Sequence, residues 1–198
     1  SRIMHRRVRQ TRSKPALRLW LQTGLQDESA DRDSDGVIDL AVLLNGGRTL
    51  LRGTGDCRFE PADDGFGLVP SSAWTTAFSA TWEDGNTLPT LAFGSYLAAD
   101  HERCDTSQLV RPDGDRYTDP VALDPAYCSL SMLFSDWSHS GRRDLRVAND
   151  RHYANDASEQ LWIIEPGRPP EPYGEDDGWR PLRIWGMGIA SADVTGDG

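Results

Sequence analysis

The chain has no apolar run of about 18 residues, the length a membrane-crossing helix needs, so a transmembrane helix is not expected. Paired cysteine spacing is also missing. Cys57, Cys104 and Cys128 stand far apart, without the Cys-x-x-Cys pattern of zinc or dithiol sites. Histidine is scarce and scattered (His5, His101, His139, His152), and no Gly-x-Ser-x-Gly elbow, His-Glu-x-x-His run or glycine-rich phosphate loop occurs. Those absences remove the common hydrolase, metalloprotease and nucleotide-binding readings, and the expectation is a non-catalytic chain. No sustained helical periodicity is present either. With 19 glycines, 12 prolines and seven tryptophans among 198 residues, the pattern is that of short strands cut by turns, an all-β chain.

Acidic residues are lacking from positions 1–20, which carry Arg2, Arg6, Arg7, Arg9, Arg12, Lys14 and Arg18. No apolar core follows these charges, so they do not read as a signal peptide. Residues 1–19 are expected to be a solvated, disordered basic leader ahead of a folded part at 20–198. That part holds 14 basic against 31 acidic residues, a body that repels nucleic acid and anionic lipid and attracts divalent cations. Nucleic acid and membrane insertion are therefore not expected as partners.

The informative stretch is Asp31-Arg-Asp33-Ser-Asp35-Gly-Val37-Ile-Asp39-Leu40. Alternating carboxylates on a turning backbone converge on one centre, Gly36 permits the sharp turn, and the Val37 carbonyl adds a further hard oxygen. Hard oxygens in that number suit calcium. An EF-hand would need a bidentate Glu at position 12 and flanking helices, but position 12 is Val42, within an apolar run that ends at Asn45-Gly46-Gly47. A calcium loop that feeds a β-strand is expected.

Related loops recur at Asp136-Trp-Ser138-His-Ser140-Gly-Arg-Arg-Asp144 and Asp193-Val-Thr195-Gly-Asp197, with a degenerate copy at Ala80-Thr-Trp-Glu-Asp84-Gly85. Their starts at 31, 80, 136 and 193 lie about 50 to 60 residues apart, a spacing that suits a four-stranded propeller blade. Strands are expected before and after each loop, including 75–80, 91–94, 129–135, 145–148 and 186–191. The region 99–127 reads as an insertion, with Asp113-Gly-Asp115 a plain turn. Cys104 and Cys128 stand at its ends. They are the candidate disulfide of an oxidising compartment, with Cys57 left over; three reduced thiols are the alternative.

Loops of this pattern between strands resemble the FG-GAP/VCBS repeats of integrin α-like β-propellers. Trp74-Thr-Thr-Ala77, Asn149-Asp150 and Trp185-Gly-Met-Gly-Ile-Ala190 are similar to the cartilage-acidic-protein branch, whose members often carry a C-terminal ASPIC/UnbV domain. The resemblance implies a partial propeller of about three to four blades of four-stranded antiparallel sheets, cut within a repeat at its C-terminal end. It also implies a secreted or periplasmic protein that binds Ca2+ and engages a protein or glycan, or associates with itself through exposed blade faces. The ligand candidates are Asp31, Asp33, Asp35, Val37 and Asp39 in the first loop, Asp136, Ser138, Ser140 and Asp144 in the next, and Asp193, Thr195 and Asp197 in the last. Carboxylate count ranks them in that order, and the copy at 80 is expected to be metal-free. The alternative is a propeller-based hydrolase or lyase with its catalytic residues in the inserted loops or in further blades.

Overall fold

The computed structural model describes residues 39–98, 100–150, 158–192 and 194–195. Asp31, Asp33, Asp35, Val37, His152, Asp193 and Asp197 lie outside them. Strands dominate, in three antiparallel sheets. The first sheet contains β1 (Leu40–Leu44), β2 (Gly47–Gly55) and β3 (Arg58–Pro61), followed by the single-turn helix α1 (Asp63–Phe66). The middle sheet has β4 (Thr75–Thr81), β5 (Thr90–Ser95), β6 (Ser107–Val110) and β9 (Val121–Leu123) in that order. Between β6 and β9 a two-stranded ribbon projects, β7 (Pro112–Asp113) with β8 (Arg116–Tyr117). The third sheet is β10 (Ser129–Ser135), β11 (Asp144–Asn149), β12 (Gln160–Ile163) and β13 (Glu171–Pro172). The two four-stranded sheets are simple up-and-down meanders.

The middle sheet is covered on both faces, and β5 is buried along its whole length. Side chains of a strand alternate between faces, so β5 divides its residues between two cores. Leu91 and Phe93, with Ala80 and Val110, pack on Leu50 of the first sheet and on Phe66 and Leu68. Ala92, with Ala77, Leu109 and Leu123, packs on Met132, Phe134, Leu145, Val147, Trp162 and Ile164 of the third sheet. Small residues on the second face let the third sheet approach closely. A side chain at Gly94 would place its Cβ 2.5 Å from Ser129 Oγ and 2.6 Å from Ala77 Cβ, so only glycine fits there. Two hydrogen bonds tie β4 to β10 without a shared ladder, Thr76 Oγ1 donating to Ser129 O at 2.6 Å and Phe134 N donating to Ser79 Oγ at 3.0 Å. Cys104 and Cys128 form a disulfide with Cα atoms 4.6 Å apart, and Cys57 is free and exposed.

Two expected features differ. The region 99–127 is not simply an insertion: β6 and β9 within it complete the middle sheet, and only the β7–β8 ribbon is inserted. Its Asp113-Gly-Asp115 is the ribbon's turn, with Gly114 at φ 63°. The segment 186–191, expected as a strand, forms none, because no neighbouring strand offers it a ladder among the described residues. Instead Glu159 N donates to Leu182 O at 2.9 Å and Gly186 N to Asn149 O at 3.3 Å, so the segment lies as a strap beside the end of β11. Leu182, Ile184, Trp185 and Met187 on this strap are exposed, Trp185 to 64%.

Candidate functional site

The acid at position 9 of the first loop, Asp39, is 1% exposed, and its Oδ1 accepts a hydrogen bond from Gly53 N at 2.7 Å. In the ladder Leu40 faces Leu51, so Asp39 bonds the amide one residue beyond its facing position on β2. Asp144, the ninth residue of the loop at 136, repeats this arrangement. Leu145 faces Trp162, and Asp144 Oδ1 accepts from Ile164 N, again one residue beyond the facing position, at 3.3 Å. Each acid clamps the start of its strand, β1 or β11, to the strand that follows it in the sheet. In the middle sheet Leu91 faces Val110, which puts Pro112 at the corresponding amide. Proline has no N–H to donate, and the residue at the acid's place is Thr90.

The middle loop uses a different closure. Thr90 Oγ1 donates to Glu83 Oε1 at 2.6 Å, and Arg111 Nε donates to the same oxygen at 2.8 Å. The pair is largely buried, and Arg111 reaches on to the third sheet's edge, bonding Glu165 O at 2.9 Å and Arg168 O. A guanidinium therefore neutralises the acid of this degenerate loop.

The loop at 136 is closed by its own groups. Asp136 accepts Ser140 N at 3.0 Å on Oδ1 and Gly141 N at 2.8 Å on Oδ2, and Gly141 holds φ 81°, a conformation that suits glycine. Ser138 and Ser140 hydroxyls bond each other at 2.8 Å. Asp144, fully buried, takes Arg142 Nε on Oδ1 at 3.2 Å and the Tyr173 hydroxyl on Oδ2 at 2.6 Å. Burial first, and then this bond to Asp144, hold the Tyr173 phenol neutral by pushing its pKa up. The structure thus brings the four candidates Asp136, Ser138, Ser140 and Asp144 into one turn, where Asp136 and Asp144 accept protein donors and the two serine hydroxyls bond each other.

The corner around Asp39 is built otherwise. Tyr117, from the ribbon of the middle sheet, is 6% exposed with its hydroxyl lacking a hydrogen-bond partner. Its pKa is pushed up by burial and, second, by the negative charge of Asp39. Among the described residues no group of three or more His, Cys, Asp or Glu stands close enough to hold a metal.

At the opposite end of the sheets, Trp74 lies edge-on to Tyr96 with centroids 5.3 Å apart and next to His101 at 5.9 Å, and Tyr96 OH donates to Asp150 Oδ2 at 3.0 Å. Trp74 and Asn149-Asp150 belong to the motifs of the family resemblance, but nothing in the sequence joined them to Tyr96 and His101, because these residues lie on strands and loops far apart in the chain. Glu159, 3% exposed, lies under Gly186, and burial pushes its pKa up to about 7. No helix among the described residues is long and apolar enough to cross a membrane. The fold thus defines an all-β chain of antiparallel, face-packed sheets. It matches no family model, no curated protein and no solved structure.

Proposed function

We propose that the chain is a non-catalytic, calcium-stabilised interaction module that works outside the cytoplasm, with its sheets serving as consecutive propeller-type blades. The observation that carries the reading is the repeated clamp: Asp39 and Asp144 take the same amide of their hairpins, one register step beyond the facing residue. That repetition supports the loop-and-strand unit of the FG-GAP/VCBS type. Ca2+ belongs to the first loop, where Asp31, Asp33 and Asp35 add carboxylates to Asp39. The loop at 136 works as a cation-free variant, and Thr195, with one acid on each side at Asp193 and Asp197, belongs to the weakest candidate. The disulfide agrees with an extracellular or periplasmic setting. A protein or glycan is the partner class, and the exposed strap gives self-association a surface.

Calcium-dependent melting tests the reading. Asp33→Ala and Asp35→Ala should each abolish most of the rise in Tm that calcium gives the parent, because a ligand that binds only the folded state stabilises it. Asp113→Ala and Asp115→Ala, in the ribbon turn, should leave that rise unchanged. A parent whose Tm does not respond to calcium overturns the proposal.

A further inference from the structure

Arg48 leaves β2 toward the middle sheet and is only 8% exposed. Its guanidinium lies over the Phe93 ring, 4.0 Å from the centroid, and Nη1 donates to Gln108 Oε1 at 2.8 Å. Phe93 and Gln108 face each other across β5 and β6, so the charge sits between the first and middle sheets in a fixed orientation. Stacking and one hydrogen bond occupy a face and a corner of the group. Its Nε–Nη2 edge, the fork that grips a carboxylate with two parallel hydrogen bonds, is buried and has no hydrogen-bond partner among the described residues.

A buried charge is tolerated when an opposite charge and hydrogen bonds compensate it. Burial lowers the Arg48 pKa to about 10, and the charge of Asp63 opposes that shift as the second cause, so the group stays protonated at neutral pH. Asp63 does not close the fork, because its oxygens accept from Leu50 N at 2.8 Å and from Thr49 Oγ1 at 2.5 Å. Gln108 offers a neutral oxygen, which satisfies one donor but not the charge. A further hydroxyl stands on the same face. Thr75 faces Ser95 in the β4–β5 ladder, and strand alternation puts Ser95 on the face of Phe93; Thr75 Oγ1 is buried and likewise without a partner among the described residues.

We propose that the Arg48 fork is an anion site between the first and middle sheets: it takes a small carboxylate through Nε and Nη2, and the neutralised guanidinium then fastens the two sheets together. The anion is small because both fork nitrogens are buried, out of reach of a macromolecular partner. The inference stands apart from the calcium reading, since no residue of the acidic loops takes part.

Formate, the smallest carboxylate, is the probe. The full chain is melted in rising formate with ionic strength held by the bulky morpholinoethanesulfonate anion, and binding is read directly from broadening of the 13C-formate resonance. The parent should broaden the line and gain Tm along a saturating curve, as a ligand of the folded state alone requires. Arg48→Met removes the charge and keeps an unbranched side chain. It should lose both responses, and its Tm without formate should equal or exceed the parent's. Arg48→Lys keeps the charge without the fork and should bind formate about 10-fold more weakly, the contribution of one charge-assisted hydrogen bond.

An equal, unsaturating rise in Tm in the parent and Arg48→Met is a general salt effect and overturns the proposal. A parent that ignores formate overturns it as well: lower stability of Arg48→Met then means that a carboxylate of the chain itself fills the fork, and equal or higher stability means that stacking alone holds the guanidinium. Equal formate affinity in Arg48→Lys overturns the bidentate site, and this comparison decides alone if Arg48→Met does not fold.

Discussion

Asp39 and Asp144 hold the same rung of their hairpins, yet their surroundings solve the same electrostatic problem in different ways. Around Asp144 everything needed is covalently present: Arg142 for charge, Tyr173 and Ile164 N for hydrogen bonds, and Asp136 turned onto its own loop backbone. Around Asp39 the upstream positions are carboxylates and the nearby Tyr117 hydroxyl has no partner. A buried carboxylate is tolerated only when charge and hydrogen bonds compensate it. The comparison teaches that one loop pattern can be closed by an arginine from within the chain, and the proposed cation would close the first loop in its place. The middle loop, with Arg111 on Glu83, is a second case of internal closure.

The largest way to break the comparison is to remove the internally compensated acid. Asp144→Ala would leave Arg142, Tyr173 and the Ile164 amide without their common acceptor. The loss expected from breaking a buried pair is about 3–5 kcal/mol, measurable by urea unfolding. The same change at Asp39 should cost more with calcium present than without it, if a cation binds the folded loop.

Next in size is the link between the middle and third sheets. Cys104 and Cys128 close a 24-residue separation, and a loop of that size is worth roughly 3 kcal/mol in the unfolded chain. A Cys104→Ser, Cys128→Ser double variant should lose about this much stability, read as a lower urea midpoint with a steeper slope, because the unbridged unfolded chain is less compact. The loss should be equal with and without calcium, because this interface is remote from the Asp39 corner.

A smaller effect comes from Glu159 on the outer face of the third sheet. Its folded pKa is raised from 4.5 to about 7 by burial, opposed by the Asn149 backbone hydrogen bond and the charge of Arg146. A raised carboxylate pKa means that the folded state holds its proton more tightly. The stability this gives is fully present below about pH 4.5 and lost as pH rises through about 7. Unfolding free energy should decline across that window in the parent and decline less in Glu159→Gln. The smallest expected change is at the β2–β3 turn, where Asp56 and Cys57 hold φ 51° and 58°. Cys57→Gly should stabilise by about 1 kcal/mol by removing left-handed strain, read from the same unfolding curves.

Much of the fold was legible because the signals were local. The apolar run after Asp39, the small-residue strands at 75–81 and 129–135, and the turn residues between them mark hairpins without knowledge of their neighbours. The shorter strands were not legible. Ser107–Val110 and Val121–Leu123 have too few residues to show alternation and are separated by a Pro- and Asp-rich ribbon, so they read as one insertion. The strap at 186–191 has the composition of a strand, but a strand needs a partner ladder, which composition does not supply. In the candidate site the acids could be listed from the sequence. Their compensation could not, because Tyr173 lies 29 residues from Asp144 and Arg111 lies 28 from Glu83.

The most direct test is calcium calorimetry on the parent, Asp35→Ala and Asp136→Ala, read for stoichiometry as well as affinity. The account predicts one site per chain in the parent, lost in Asp35→Ala and kept at unchanged affinity in Asp136→Ala. Two equivalent sites in the parent, or loss of binding through Asp136→Ala with retention in Asp35→Ala, would contradict it.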